Sequence, residues 1–285
     1  MSSTEQSTFE AAIADACTKH KEAHWQEYDY RACVSIGTEY FVKFDNPRAL
    51  WPEIATHKYI SEYAQAHADT PRMPRISKVK YHFGDKRTMY MVMEYITLTN
   101  PPPDLPERTA EAVRWLSGVP APPGHVFGPL GGGPIRHSFF KDHKAPLAFS
   151  SIGALERYIE KVPSATFNLG QARMLLSTLR KKPVESVSLS GERLMFMQPD
   201  MDPSNFGVDE HGNTVLMDFA EIAILPESFA AYMLSSNDSL ASSLGLSKSF
   251  NVASMAVISS CLWMVADSKL GLNEDGYPKA SIRKR

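Results

Sequence analysis

Between Phe196 and Glu221 the chain reads FMQPDMDPSNFGVDEHGNTVLMDFAE, which sets Asp200, Asp202, Asn205 and Asp218 close together between hydrophobic flanks. A solvated acidic loop needs no such flanks. NFGVDEHGNTVLMDF reads as a hairpin, and with His211-Gly212 as its turn residue 210 faces 213 and Asn205 faces Asp218. Opposed residues put their Cβ atoms ~5 Å apart on one face. An amide oxygen and a carboxylate meeting there are hard donors suited to Mg²⁺, with water and phosphate completing the shell. Asp200 stands ahead of Asn205 in an Asp-x-x-x-x-Asn spacing. In phosphoryl transfer that spacing places a proton acceptor for an attacking hydroxyl beside the metal-holding Asn. Asp202, Asp209 and Asn213 read as turn residues.

These side chains need elements to hold them. RLMFM ahead of the loop is a short apolar strand. Further upstream, YRACVSIGTEYFVKFD alternates as strand material through Tyr40, Val42 and Phe44, with Gly37-Thr38 as a turn. NPRALWPEIATHKYISEYAQAHA spaces Leu50, Ile54, Ile60 and Ala64 as a helix, with Asn46 as cap and Pro47 in the first turn. RISKVKYHF and RTMYMVMEYI form two strands about Gly84. After Ile96 the proline-rich LTNPPPDLPER marks a boundary, and helices are expected over 108–117, 152–162, 169–182, 227–236 and 254–270. The expected organisation is a polar, weakly helical lead-in (1–24), a sheet-rich N-lobe (25–96) and a larger helical C-lobe (97–285): α+β and two-lobed.

Composition sets bounds. The chain has 285 residues, 43% hydrophobic and 22% charged, with a net charge of −2. That is ordinary for a globular protein and gives no basic surface for nucleic acid or anionic membrane. Cys17, Cys33 and Cys261 lie far apart without a CxxC pair, as free thiols do. The first residues lack the basic-then-apolar order of a secretory signal. The longest apolar run, 255–266, is short of the ~20 residues a membrane span needs. A cytoplasmic location is expected, with no nucleic-acid or membrane partner.

With these residues in view the chain resembles the aminoglycoside phosphotransferase and choline kinase-like branch of the protein-kinase-like fold. QPDMDPSNFGVD resembles that family's His-Gly-Asp-Leu-His-Pro-x-Asn loop, and LMDFAE its Ile-Asp-Phe-Gly metal strand. The resemblance implies Asp200 as catalytic base and Asn205 with Asp218 as Mg²⁺ ligands. It implies Lys43, in EYFVKFD, gripping the ATP phosphates, with Glu53 (ahead of Glu62) holding the lysine extended. Phe41, on the face of Lys43, would pack on adenine, and backbone groups of Glu94 and Ile96 would bind its edge. The implied activity is transfer of the ATP γ-phosphoryl to a hydroxyl of a small molecule. Its likeness runs over residues 28–270, strongest at 194–221.

Some positions depart from the pattern. Gln198 and Pro199 stand where the family has His-Gly, Asp202 where it has a second His, and Ala220 where it has Gly. No GxGxxG precedes Lys43, and GPLGGGP at 128–134 lies after the hinge, where it reads as a flexible connection. These departures motivate the alternative of a pseudokinase or nucleotide-binding module without turnover. A second alternative, a haloacid-dehalogenase-type phosphatase built on Asp200-x-Asp202, needs several αβ units downstream, and only 83 residues (285 less 202) follow Asp202. His125, His137 and His143 fit no zinc spacing and are expected at the surface.

Overall fold

The computed structural model of the chain describes residues 3–70, 72–167, 186–235, 238–246 and 249–279. It comprises two compact units, Met1–Ala112 with Asp202–Ala220, and Val113–Met201 with Glu221–Arg285. The architecture is α+β, with antiparallel sheet concentrated in the first unit and the second built, among the described residues, from helices, loops and a two-stranded ladder.

In the first unit, strands β1 (Cys33–Ile36), β2 (Tyr40–Asp45), β4 (Val79–Gly84) and β5 (Met89–Glu94) form one sheet in the order β1-β2-β5-β4, antiparallel throughout. The turn between β1 and β2 spans Gly37–Glu39, since Ile36 pairs with Tyr40, and Gly37 takes the left-handed φ of +61° that a side chain resists. Alternation along β2 sends Val42 and Phe44 to one face, Phe41 and Lys43 to the other.

Helix α1 (Ser3–His24) covers the first face. Its Ile13 and Cys17 are buried with Val42, Phe44 and Val92, and Phe9 packs beside them. The N-terminal segment is therefore not a polar lead-in. Phe9, Ile13 and Cys17 recur once per turn, and a stripe so narrow is swamped by polar neighbours when composition is averaged. Helix α2 (Pro47–Ala66) covers the second face, packing Leu50 and Ile54 on Val79, Met91 and Met93. Asn46 caps it as expected, its side chain accepting the Ala49 N–H at 3.1 Å, and Pro52 is carried within the helix.

A second sheet of the same unit joins β3 (Arg75–Ile76), β8 (Thr214–Leu216) and β7 (Phe206–Val208), with β3 parallel to β8. The segment after Ile96 is tied to it: the Thr99 N–H donates to the Val208 carbonyl at 2.8 Å, and Leu98 bridges Asp209. The compact unit thus runs past the proline-rich boundary at 97, into helix α3 (Leu105–Gly118), and takes the hairpin with it.

The second unit has helices α4 (Ile152–Phe167), α5 (Glu227–Met233), α6 (Asp238–Ser243) and α7 (Asn251–Met264). Strand β6 (Leu194–Met197) pairs with β9 (Ala223–Pro226), an apolar strand that the sequence reading passed over. The core gathers Phe139, Phe140, Leu155, Tyr158, Phe229 and Leu262. Among the described residues no helix is long and apolar enough to cross a membrane. The helix expected over 169–182 lies outside the described residues. His143 is exposed and His125 half-buried, but His137 is not a surface residue. It is fully buried, its Nδ1 accepting the Phe139 N–H at 3.0 Å and its ring edge-on to Phe229, an apolar setting that holds it neutral.

Candidate active site

Three of the expected residues meet in the first unit. Lys43 Nζ donates to Glu53 Oε1 at 2.6 Å and to Asp218 Oδ1 at 3.0 Å. The carriers differ: Lys43 is central in β2, Glu53 lies in the second turn of α2, and Asp218 follows β8. Glu53 is buried (5% side-chain exposure), while Lys43 and Asp218 stay partly open at 22% and 34%. Burial opposes the charge on Lys43, yet the carboxylates of Glu53 and Asp218 outweigh it and raise its pKa. Burial likewise works against the Asp218 charge, and Lys43 reverses the balance to hold its carboxyl below the usual range. Both groups are ionised at neutral pH.

Helix periodicity explains how Glu53 is aimed. His57, one turn further along α2, shares its face and stacks on Phe219 with ring centroids 4.2 Å apart. Its Nε2 donates to the Ser77 carbonyl at 2.6 Å, and burial lowers its pKa to about 4, leaving the ring neutral. So α2 reaches Lys43 through Glu53 and the residue after Asp218 through His57. Asp218 itself sits at φ +52°, and its Oδ1 also accepts the Ala220 N–H at 3.2 Å. A non-glycine residue in that region is uncommon.

The hairpin forms, but its register is one residue from the expected one. Val208 pairs with Thr214 and Phe206 with Leu216, so Asn205 lies opposite Met217, not Asp218, and its carbonyl accepts the Met217 N–H at 2.9 Å. The cause is the turn. Asp209 Oδ1 accepts the N–H groups of His211 and Asn213, which fixes a three-residue loop, Glu210–Gly212, with Gly212 at φ +81°. Asn205 is buried and closes the short turn Pro203–Asn205, capped by Asp202 through the Ser204 N–H at 2.8 Å. Asp218 therefore stands one residue beyond the partner of Asn205, and each carries an oxygen donor of the hard kind Mg²⁺ takes. Among the described residues no group of three His, Cys, Asp or Glu side chains gathers as a metal centre.

Asp209 is more than a turn residue. Its side chain is fully buried and bonds Arg75 Nη1 at 2.8 Å, and Arg75 also pairs with Glu94. Burial alone would raise the Asp209 pKa, but Arg75 and Asn213 bring it down to about 2. The pairing joins residues 134 apart in sequence, so nothing local announces it.

The remaining residues are placed as follows. Phe41 lies on the Lys43 face and packs against Leu50, Ile54 and Met93. The Glu94 N–H donates to the Lys78 carbonyl at 2.9 Å, and the Glu94 carbonyl accepts Ser77 Oγ at 2.6 Å, leaving that oxygen one lone pair. Ile96 is half-buried just beyond β5. Asp200 belongs to the second unit, after β6, where its N–H donates to Oε1 of the buried Gln198 at 3.3 Å.

No protein-family model and no curated protein sequence matches the chain. Solved structures do resemble it. An aminoglycoside 2'-phosphotransferase-IIIa in complex with GDP is 12% identical, over 86% of this chain and 85% of that one, with a TM-score of 0.46. Aminoglycoside phosphotransferase APH(4)-Ia is 14% identical over 85% and 90%, with a TM-score of 0.42. The choline kinase LicA from Streptococcus pneumoniae is 14% identical over 84% and 81%, with a TM-score of 0.37.

Proposed function

We propose that the chain is a small-molecule kinase, transferring the γ-phosphoryl of ATP to a hydroxyl group with Mg²⁺. The observation that carries this reading is the half-buried lysine held between two carboxylates from separate elements, Glu53 of α2 and Asp218 after β8. A lysine needed only for solubility would reach water instead. Fixed at both ends, its ammonium stays extended and charged, the state in which it can bind phosphate oxygens.

Asn205 and Asp218 would hold the Mg²⁺: one is a neutral amide and the other a carboxylate kept ionised by Lys43. Bound there, the ion supplies neutralisation of the charge on the phosphate oxygens. Phe41 offers an apolar face for the base, and the Ile96 backbone a donor and an acceptor for its edge. Asp200 is assigned as the base on its spacing from Asn205. Its carboxylate orients the acceptor hydroxyl and takes its proton as the O–P bond forms. The bond from the γ-phosphorus to the bridging oxygen breaks, its electron pair leaving with ADP. The chain forms no covalent intermediate, and alignment supplies most of the rate.

One observation favours the second reading, a nucleotide-binding module without turnover. A single strand, β1, precedes that of Lys43 in its sheet, and the turn between them holds one glycine, so no glycine-rich loop covers the phosphates among the described residues. Thermal shift with Mg-ATP, followed by phosphate transfer to a panel of amino alcohols and aminoglycosides, tests both. Asp200→Ala is expected to abolish transfer while Mg-ATP binding persists. A fully active Asp200→Ala refutes the assignment of the base, and ATP binding without transfer to any acceptor favours the module.

A further inference from the structure

Arg31 stands just ahead of β1, and Cys33, two residues on, is the cross-strand partner of Lys43. The backbone here is well anchored. The Arg31 carbonyl accepts from Cys33 N–H at 2.8 Å and from His20 Nε2 of α1 at 2.9 Å, and the Ala32 carbonyl accepts the Phe44 N–H at 2.9 Å. From this edge the guanidinium reaches the turn that carries Asn205, where Nη2 donates to Ser204 Oγ at 3.3 Å. That single bond to a neutral hydroxyl uses one of five N–H donors. Among the described residues no carboxylate lies within ion-pairing distance of Arg31, although another arginine beside this hairpin, Arg75, is paired twice. A guanidinium carried on an anchored backbone, with most of its fork unused, is the group that matches phosphate oxygens bidentately.

We propose that Arg31 is a phosphate-binding residue, closing over the terminal phosphates of the nucleotide in the place where this chain has no glycine-rich loop. The inference rests on the kinase reading above and deepens it. The exposed position of Arg31 makes substitution there compatible with folding.

The test is calorimetric titration of the full chain with Mg-ATP and with AMP. Arg31→Gln is expected to weaken Mg-ATP binding by roughly 10- to 100-fold, leave AMP binding within about twofold, and be partly rescued in Arg31→Lys. Ser204→Ala, which removes the hydrogen bond but keeps the guanidinium, is expected to bind Mg-ATP nearly as the parent does. If Ser204→Ala loses as much as Arg31→Gln, Arg31 acts through the turn and the proposal is overturned. Wild-type Mg-ATP affinity in Arg31→Gln, with affinity lost in Asp218→Ala, overturns the role of Arg31 alone and leaves the kinase reading standing. A parent protein that binds no nucleotide sinks both.

Discussion

Replacing Arg75 by methionine keeps the aliphatic stem and removes the cation that faces Asp209 and Glu94. The magnitude follows from Asp209, whose carboxyl is held at about 2 against an ordinary 3.8. At roughly 1.4 kcal/mol per pH unit, that difference is about 2 kcal/mol of stability. Arg75 shares it with Asn213 and the loop N–H groups, so Arg75→Met is expected to cost about 1–2 kcal/mol at pH 7. The sign is set by the lowered pKa. The stabilisation is complete above about 4 and disappears as pH falls through about 2, so the gap between parent and variant narrows over that range. Hydrogen exchange read on peptides covering 206–216 localises the effect, because β7 and β8 lose the tie between their loop and Arg75. Urea midpoints at pH 7 and pH 3 supply the second readout. Parent-like exchange in 206–216 at pH 7, or a midpoint difference as large at pH 3 as at pH 7, would refute the reasoning.

Three further outcomes follow from packing and charge. Glu53→Gln removes one of the two carboxylates on the half-buried Lys43, expected to cost about 2–3 kcal/mol of folding stability and to weaken Mg-ATP binding measurably; unchanged affinity would remove Glu53 from the site. Ile13→Ala opens a cavity between α1 and the sheet and is expected to cost about 2–4 kcal/mol; a melting temperature within about 1 °C of the parent would show that α1 is not part of the core. Gly276→Ala sets a Cβ 2.6 Å from the Ala154 carbonyl oxygen at φ +76°, a backbone clash that no rotamer change relieves. A loss of about 2 kcal/mol or more is expected, measured by thermal denaturation.

Much of the site could be read from the chain because local signals coincide there. The alternation of Phe41 and Lys43 against Val42 and Phe44, and the Asn46-Pro47 start of α2, fix one face of a strand and the phase of a helix. Lys43 and Glu53 themselves came from the family resemblance, and those two facts only put them on elements that can meet. The hairpin was equally plain, but its register was not. EHG admits a two-residue or a three-residue loop, and the choice falls to the Asp209 side chain, which the sequence credits only with turn propensity. A single step of register decides which residue stands opposite Asn205. Arg75 with Asp209 and Arg31 with Ser204 are joined over 134 and 173 residues, distances at which no periodicity or cap signal operates. The α1 stripe and the four-residue β9 failed for a different reason, since each carries too few apolar positions to rise above its neighbours.

The first unit is not a continuous stretch of chain. It borrows residues 202–220 from the middle of the other unit's sequence, while β6 and β9, on either side of the loan, pair with each other. A polypeptide ending at Ala112 would therefore have a lysine without Asp218, an arginine without Asp209 and a β3 with no neighbour to complete its ladder. Such a half cannot be excised, transplanted or shuffled as a cassette.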